Sequence, residues 1–141
     1  MIKNITLLKV FFHSFFIQSS WNFERLQSLG FAAAVSPALR EIYTEKTTRM
    51  EAVRRHLEYY NSHPYMAGPV LGTVINMEER AVRGELSAQA ASGFKKAVMG
   101  PYGAIGDMFF WAAIRPLSSV IGISGVIFFG AWGILGFLLF Y

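Results

Sequence analysis

The alternation of apolar and polar positions changes character along this chain. In residues 1–18, Ile5, Leu8, Phe12 and Phe15 recur at helical spacing with Lys9 and His13 opposite, which predicts a helix lying in a membrane interface. His13 reads as a polar-face residue rather than a ligand. Leu26, Leu29 and Ala33 continue a second helical pattern as far as Ser36-Pro37, where proline disfavours helical geometry in the preceding residue and predicts a break or kink. Thr48-Arg49-Met50-Glu51 has capping-box spacing, so a helix is expected from Arg49. It places Met50, Val53, Leu57 and Tyr60 on one face and Glu51, Arg54, Arg55 and Glu58 over the other, with Glu51 and Arg55 as an i,i+4 pair. Asn61-Ser62-His63-Pro64 ends it. Residues 73–83 read as a helix closed by Gly84, and residues 87–99 as another ended by Gly100-Pro101.

Beyond that point the polar positions nearly vanish. From Ala97 to Ile114 the chain runs for 18 residues with Asp107 as its one charge, between Lys95-Lys96 and Arg115. Pro116 to Tyr141 adds 26 uncharged residues, enough as a helix for ~39 Å. The expectation is an all-α integral membrane protein. N-terminal amphipathic, interfacial helices occupy 1–96 and a membrane region occupies 97–141. The latter divides into a broken or re-entrant Gly/Pro-rich segment over 97–115 and a C-terminal transmembrane helix over 116–141.

Composition sharpens this picture. Fifty-three per cent of residues are hydrophobic and 16% aromatic, more than a soluble domain requires. The net charge of +4 comes from basic residues interleaved with acids, without a Lys/Arg block, so it suits an anionic membrane surface and not nucleic acid. Cysteine is absent, which excludes disulfides and thiolate metal sites. Ala32-Ala33-Ala34 could mimic a signal-peptide cleavage site, but Glu24 and Arg25 separate it from the apolar run and argue against cleavage.

Candidate chemistry centres on Asp107, the chain's only aspartate. An ionisable group in an apolar run marks a functional site by default. The competing reading makes Asp107 the N-cap of a helix starting at Met108. Three glycines and a proline within residues 100–106 predict broken backbone, which survives at membrane depth only against protein or water and suits a transporter's substrate site. The Asp107 carboxylate can accept two hydroxyl hydrogens, and Trp111, one turn on, offers an apolar face and an indole donor, a pairing that fits a sugar or an interhelical contact. Asn22 and Glu24 are further polar candidates beside Trp21 and Phe23 at the headgroup level. Ala104-Ile105-Gly106-Asp107 approaches the Gly-x-Gly-Asp element of intramembrane aspartyl proteases, but Ala104 replaces the first glycine and a dyad needs two carboxylates. His56 and His63 read as structural, adjacent Glu78 and Glu79 as a solvated edge, and no cofactor or metal motif is present.

Three blocks carry a resemblance. They are Gln18-Ser19-Ser20-Trp21-Asn22-Phe23-Glu24-Arg25-Leu26-Gln27, then His56-Leu57-Glu58-Tyr59-Tyr60-Asn61-Ser62-His63-Pro64-Tyr65, then Met99-Gly100-Pro101-Tyr102-Gly103-Ala104-Ile105-Gly106-Asp107 with Trp111 and Arg115-Pro116. In this order they resemble the IID membrane component of the mannose/fructose/sorbose family of sugar phosphotransferase systems. The resemblance implies a non-catalytic subunit that joins a IIC subunit in the cytoplasmic membrane as a hetero-oligomer, with its N-terminal region on the cytoplasmic side. It implies that mannose-class sugars cross and are phosphorylated on entry by cytoplasmic IIA and IIB proteins charged by HPr, whose histidines carry the phosphoryl group. Family members continue well past the first apolar span, so the resemblance implies the N-terminal part of a longer subunit, with a truncated gene, a split subunit and a short homologue all left open. The alternative is a truncated, non-transporting interaction or assembly protein.

Overall fold

The computed structural model describes residues 2–140, so the outer limits of the two expected regions, Met1 and Tyr141, lie outside the described residues. The architecture is all-α, with two isolated bridges and no named strand among the described residues. It forms two compact units, residues 1–103 and 104–141.

The first unit is built on α1 (Asn4–Ser14), α2 (Ser28–Ile42), α3 (Lys46–His56), α4 (Ala67–Val82) and most of α5 (Ala90–Gly106). On α4, Val70, Leu71, Val74 and Ile75 form a buried helical stripe, and Phe31, Val35, Ala38 and Leu39 of α2 meet it in the core. Gly30 permits the close approach of this helix to the preceding loop, since a Cβ there would lie 2.0 Å from the Ile17 carbonyl oxygen. On α1 the buried residues are Thr6 and Val10, while Ile5, Leu8, Phe11, Phe12, Phe15 and Phe16 are exposed. Such an outward apolar face belongs in lipid or against a partner.

Several local expectations are corrected. α2 starts at Ser28 and passes through Pro37 without ending. Proline cannot donate to the carbonyl four residues back, that of Ala33, and the His13 ring supplies the partner, with Nδ1 3.3 Å from the Ala33 oxygen. α3 begins at Lys46, earlier than the capping-box reading, because Glu45 is the cap and accepts from the N–H groups of Thr47 and Thr48 at 2.9 and 2.8 Å. α4 begins at Ala67 and is closed, as expected, by Gly84 at φ +75°. α5 runs through Gly100-Pro101 to Gly106, so the expected interruption there does not occur.

The irregularity instead takes the form of a π-helical stretch over Asp107–Ile114, followed by α6 (Arg115–Phe129). At its end the Arg115 N–H donates to Phe110, five residues back. Gly106 keeps α-helical dihedrals and Asp107 lies inside the helical path, which overturns the reading of Asp107 as an N-cap. The apolar run is helical, but the one helix expected over 116–141 is divided at Gly130 (φ +60°, ψ −145°), a conformation reserved for glycine, after which α7 (Gly133–Phe140) packs along α6. Within this second unit a Cβ on Gly133 would meet Gly125 backbone at 2.0 Å. The helical run Ala90–Leu139, apolar and mostly unburied, is long enough to cross a membrane.

Candidate functional site

In the first unit the three sequence blocks converge on Tyr60–Ser62. The chain enters from Asn22, whose Oδ1 accepts from the N–H groups of Glu24 (3.1 Å) and Arg25 (2.9 Å), making an Asx turn. Leu26 then adopts φ +52°, rare for a branched residue, and turns Gln27 toward the second block. Gln27 N–H donates to the Tyr60 carbonyl at 2.9 Å. Its side-chain amide donates to the Ser62 carbonyl at 2.7 Å and accepts from the Ser62 N–H at 3.1 Å. The third block joins through Met99, whose sulfur accepts from the Asn61 N–H at 3.0 Å.

Around this knot the C-terminal end of α3 is satisfied by cations, as its dipole favours. Arg25 Nη1 donates to the Leu57 carbonyl, and buried Lys95 Nζ donates to the carbonyls of Arg55 and His56, each at 3.3 Å. The Lys95 ammonium also lies 5.0 Å from the Phe31 ring centroid.

Beside it lies a buried ionic cluster that periodicity missed. Glu78, read as part of a solvated edge, occupies the next position on the buried stripe of α4 and is fully buried. Its Oε2 accepts from Tyr43 Oη (2.6 Å) and Arg55 Nη2 (2.9 Å), and Oε1 lies 2.9 Å from His56 Nε2. Arg55 therefore pairs with Glu78, not with Glu51 as expected. Burial raises the Glu78 carboxyl, but hydrogen bonds from His56 and Tyr43 and the Arg55 charge outweigh it and hold it below the usual range. Burial pushes His56 down against the pull of Glu78, and His56 Nδ1 has no hydrogen-bond partner among the described residues. Both facts describe a neutral imidazole donating from Nε2 to an ionised carboxylate. Tyr43 is pushed up to about 12 by burial and by Glu78. His56 is thus structural, as the sequence indicated, through a partner that the sequence did not reveal.

The second unit carries the other candidates. Asp107 is exposed and makes no hydrogen bond or ion pair with the described residues, while Met108 and Phe109 beside it are 67% and 56% exposed. One turn on, Trp111 is partly exposed, and the Arg115 guanidinium lies 4.9 Å from its ring centroid. Asp107, Trp111 and Arg115 therefore follow one another by successive turns as acid, indole and guanidinium. Sequence reasoning left Arg115 out of the site, although its i,i+4 spacing from Trp111 was the available signal. Asn22 and Glu24 stand together in the first unit, where Asn22 is committed to its turn and exposed Glu24 accepts from Arg25 Nε at 3.4 Å. Among the described residues no cluster of His, Cys, Asp and Glu is arranged to hold a metal ion.

These features have close counterparts. The family profile described as "PTS system mannose/fructose/sorbose family IID component" matches residues 1–141. The mannose-specific EIID component of Escherichia coli K12 is 42% identical over 134 residues, covering 94% of this chain and 46% of the relative. The sorbose-specific EIID component of Klebsiella pneumoniae is 36% identical, covering 99% and 51%. Among solved structures, that of the mannose transporter ManYZ in complex with microcin E492 superposes with a TM-score of 0.92 at 38% identity, covering 99% of this chain and 52% of the matched one. The chain spans about half the length of these relatives.

Proposed function

Because the chain belongs to the mannose/fructose/sorbose IID family of phosphotransferase-system membrane components, we propose that it acts with a IIC subunit to carry mannose-class sugars across the cytoplasmic membrane. In this reading cytoplasmic IIA and IIB proteins phosphorylate the sugar as it enters. The chain itself performs no covalent step. Residues 1–96 face the cytoplasm, and residues 97–141 lie in the membrane, in a hetero-oligomer with IIC.

The observation that carries the assignment of a site is Asp107, without a partner among the described residues, on an irregular, apolar stretch. A carboxylate turned from its own fold toward lipid at membrane depth costs about 2.5–3.5 kcal/mol. Placing it against a polar path or a partner subunit removes that cost. π-helical stretches are found disproportionately at functional sites because they shift the register of side chains and loosen backbone carbonyls. Asp107 can accept from sugar hydroxyls, the Trp111 ring can cover an apolar sugar face, and Arg115 braces the indole from the other side. Asn22 and Glu24, in the first unit, are weaker candidates of their own: the Asx turn uses the Asn22 oxygen, leaving a supporting role through the turn it shapes. Co-expression with a IIC subunit tests the assignment, with co-purification of the two chains and uptake of mannose-class sugar as readouts.

A further inference from the structure

Helical periodicity puts Met50, Val53, Leu57 and Tyr60 on one face; Tyr60, beyond the end of α3, is in the core, whereas the buried residues of the helix itself are Ala52 and His56. The buried carboxylate of Glu78 holds Arg55 and His56 inward, and the apolar face of α3, with Val53 still packed against the core and Met50 exposed, is left partly open. It becomes the floor of an open groove of about 610 Å³ between α2 and α3. Arg40 stands on the α2 side of this groove, and Arg49 and Arg54 on the α3 side, with no acid in the lining.

The partnering of the arginines singles this groove out. Of the eight in the chain, Arg25, Arg55, Arg80 and Arg83 each meet a carboxylate and Arg115 meets the Trp111 ring. The remaining three are Arg40, Arg49 and Arg54, and none of their guanidinium groups has a hydrogen bond or ion pair among the described residues. All of the unpartnered guanidinium charge is therefore gathered on one groove with an apolar floor.

We propose that this groove binds the headgroup of an anionic phospholipid, with the phosphate between Arg40, Arg49 and Arg54 and the glycerol and first acyl methylenes on Met50, Val53 and Leu57. Guanidinium groups match phosphate oxygens in a planar, two-point geometry and are weakly hydrated, so they release water readily on contact. The apolar floor distinguishes a lipid from a free anion, because an anion alone would leave it wet.

Native mass spectrometry of the detergent-solubilised full chain, titrated with dioleoyl phosphatidylglycerol, dioleoyl phosphatidylcholine or glycerol 3-phosphate, tests this site. The expected order places phosphatidylglycerol well ahead of the other two. Arg49→Gln alone should weaken phosphatidylglycerol about fivefold and the triple change to Gln at 40, 49 and 54 about a hundredfold, at roughly a factor of five per basic residue. A charge-matched control with Gln at Lys3, Lys9 and Lys46 should retain the parental affinity. Equal binding of phosphatidylcholine, or equal weakening in the control, would overturn the site. Glycerol 3-phosphate binding as tightly as the lipid would overturn the lipid assignment in favour of a plain anion site. If the triple variant does not fold, Arg49→Gln still decides, since an unchanged affinity there contradicts the proposal.

Discussion

Gln27 and Ser62 exchange two hydrogen bonds, the Gln27 amide donating to the Ser62 carbonyl at 2.7 Å and accepting from the Ser62 N–H at 3.1 Å. Both residues are buried. A glutamine here does for the chain what a neighbouring strand would do, satisfying both backbone groups of a non-helical residue. Gln27→Leu leaves that N–H and C=O without partners, so we expect a loss of about 1–3 kcal/mol. Thermal unfolding of the solubilised protein, followed by tryptophan fluorescence, measures it; an unchanged midpoint would contradict the assigned role.

Acid should destabilise the first unit in two stages. His56 is held below its ordinary value of 6.5 in the folded state, so the unfolded chain takes up that proton first. Its contribution to stability is complete above pH 6.5 and is lost as pH falls toward the folded value. Glu78, held below 4.5, contributes above that pH and loses its contribution on further acidification. Melting curves from pH 8 to pH 4 should decline with a slope of at most about 1.4 kcal/mol per pH unit for one proton. In His56→Gln the decline between about pH 6.5 and 4.5 should flatten.

Breaking the buried pair should cost more than neutralising it. Glu78→Ala strands Arg55 and removes the acceptor of Tyr43 and His56, with an expected loss of about 3–5 kcal/mol. Urea unfolding of the two variants at pH 7.5 should rank Glu78→Ala below Glu78→Gln, which keeps an acceptor for Tyr43.

Glycine substitutions should separate sharply by position. Gly30→Ala drives a methyl into the Ile17 carbonyl, which is backbone and must shift, at an expected cost of about 1–3 kcal/mol. Gly93→Ala in α5 meets nothing within 4 Å, and by helix propensity it should stabilise by up to about 1 kcal/mol. Paired denaturation curves for the two variants check this, and similar effects would contradict the packing described.

Much of this architecture is legible in periodicity and charge. The apolar stripe of α4, the closure at Gly84 and the uncharged C-terminal run follow from positions that any helical reading finds. Legibility ends where a distant residue supplies a missing partner. Pro37 predicts a break until His13, 24 positions away in the sequence, is seen at the carbonyl that the proline leaves free. Glu78 looks solvated beside Glu79 until Tyr43, Arg55 and His56 close around it. That same cluster takes the buried side of α3, so its apolar stripe is shared between the core, through Val53, and a groove that no local pattern places there. At residues 100–106 glycine and proline predict broken backbone, whereas the helix continues and yields as a π stretch at 107–114. Asp107 and Trp111 are put forward from charge and spacing alone, whereas the Arg115 guanidinium over the Trp111 ring is seen only in the structure, although its i,i+4 spacing was there to read.

Sugar uptake per assembled complex is the most direct test of the central claim, that the π stretch bearing Asp107 lies on the sugar path. The chain, Asp107→Asn and Asp107→Ala are co-expressed with the IIC subunit and its cytoplasmic IIA and IIB partners. Uptake of labelled mannose-class sugar is then normalised to the amount of chain that co-purifies with IIC. Loss of a charge-assisted contact to sugar hydroxyls predicts uptake lower by about tenfold or more in both variants at equal assembly. Unchanged uptake per complex, or a fall confined to the yield of complex, would contradict the account and assign Asp107 to subunit packing instead.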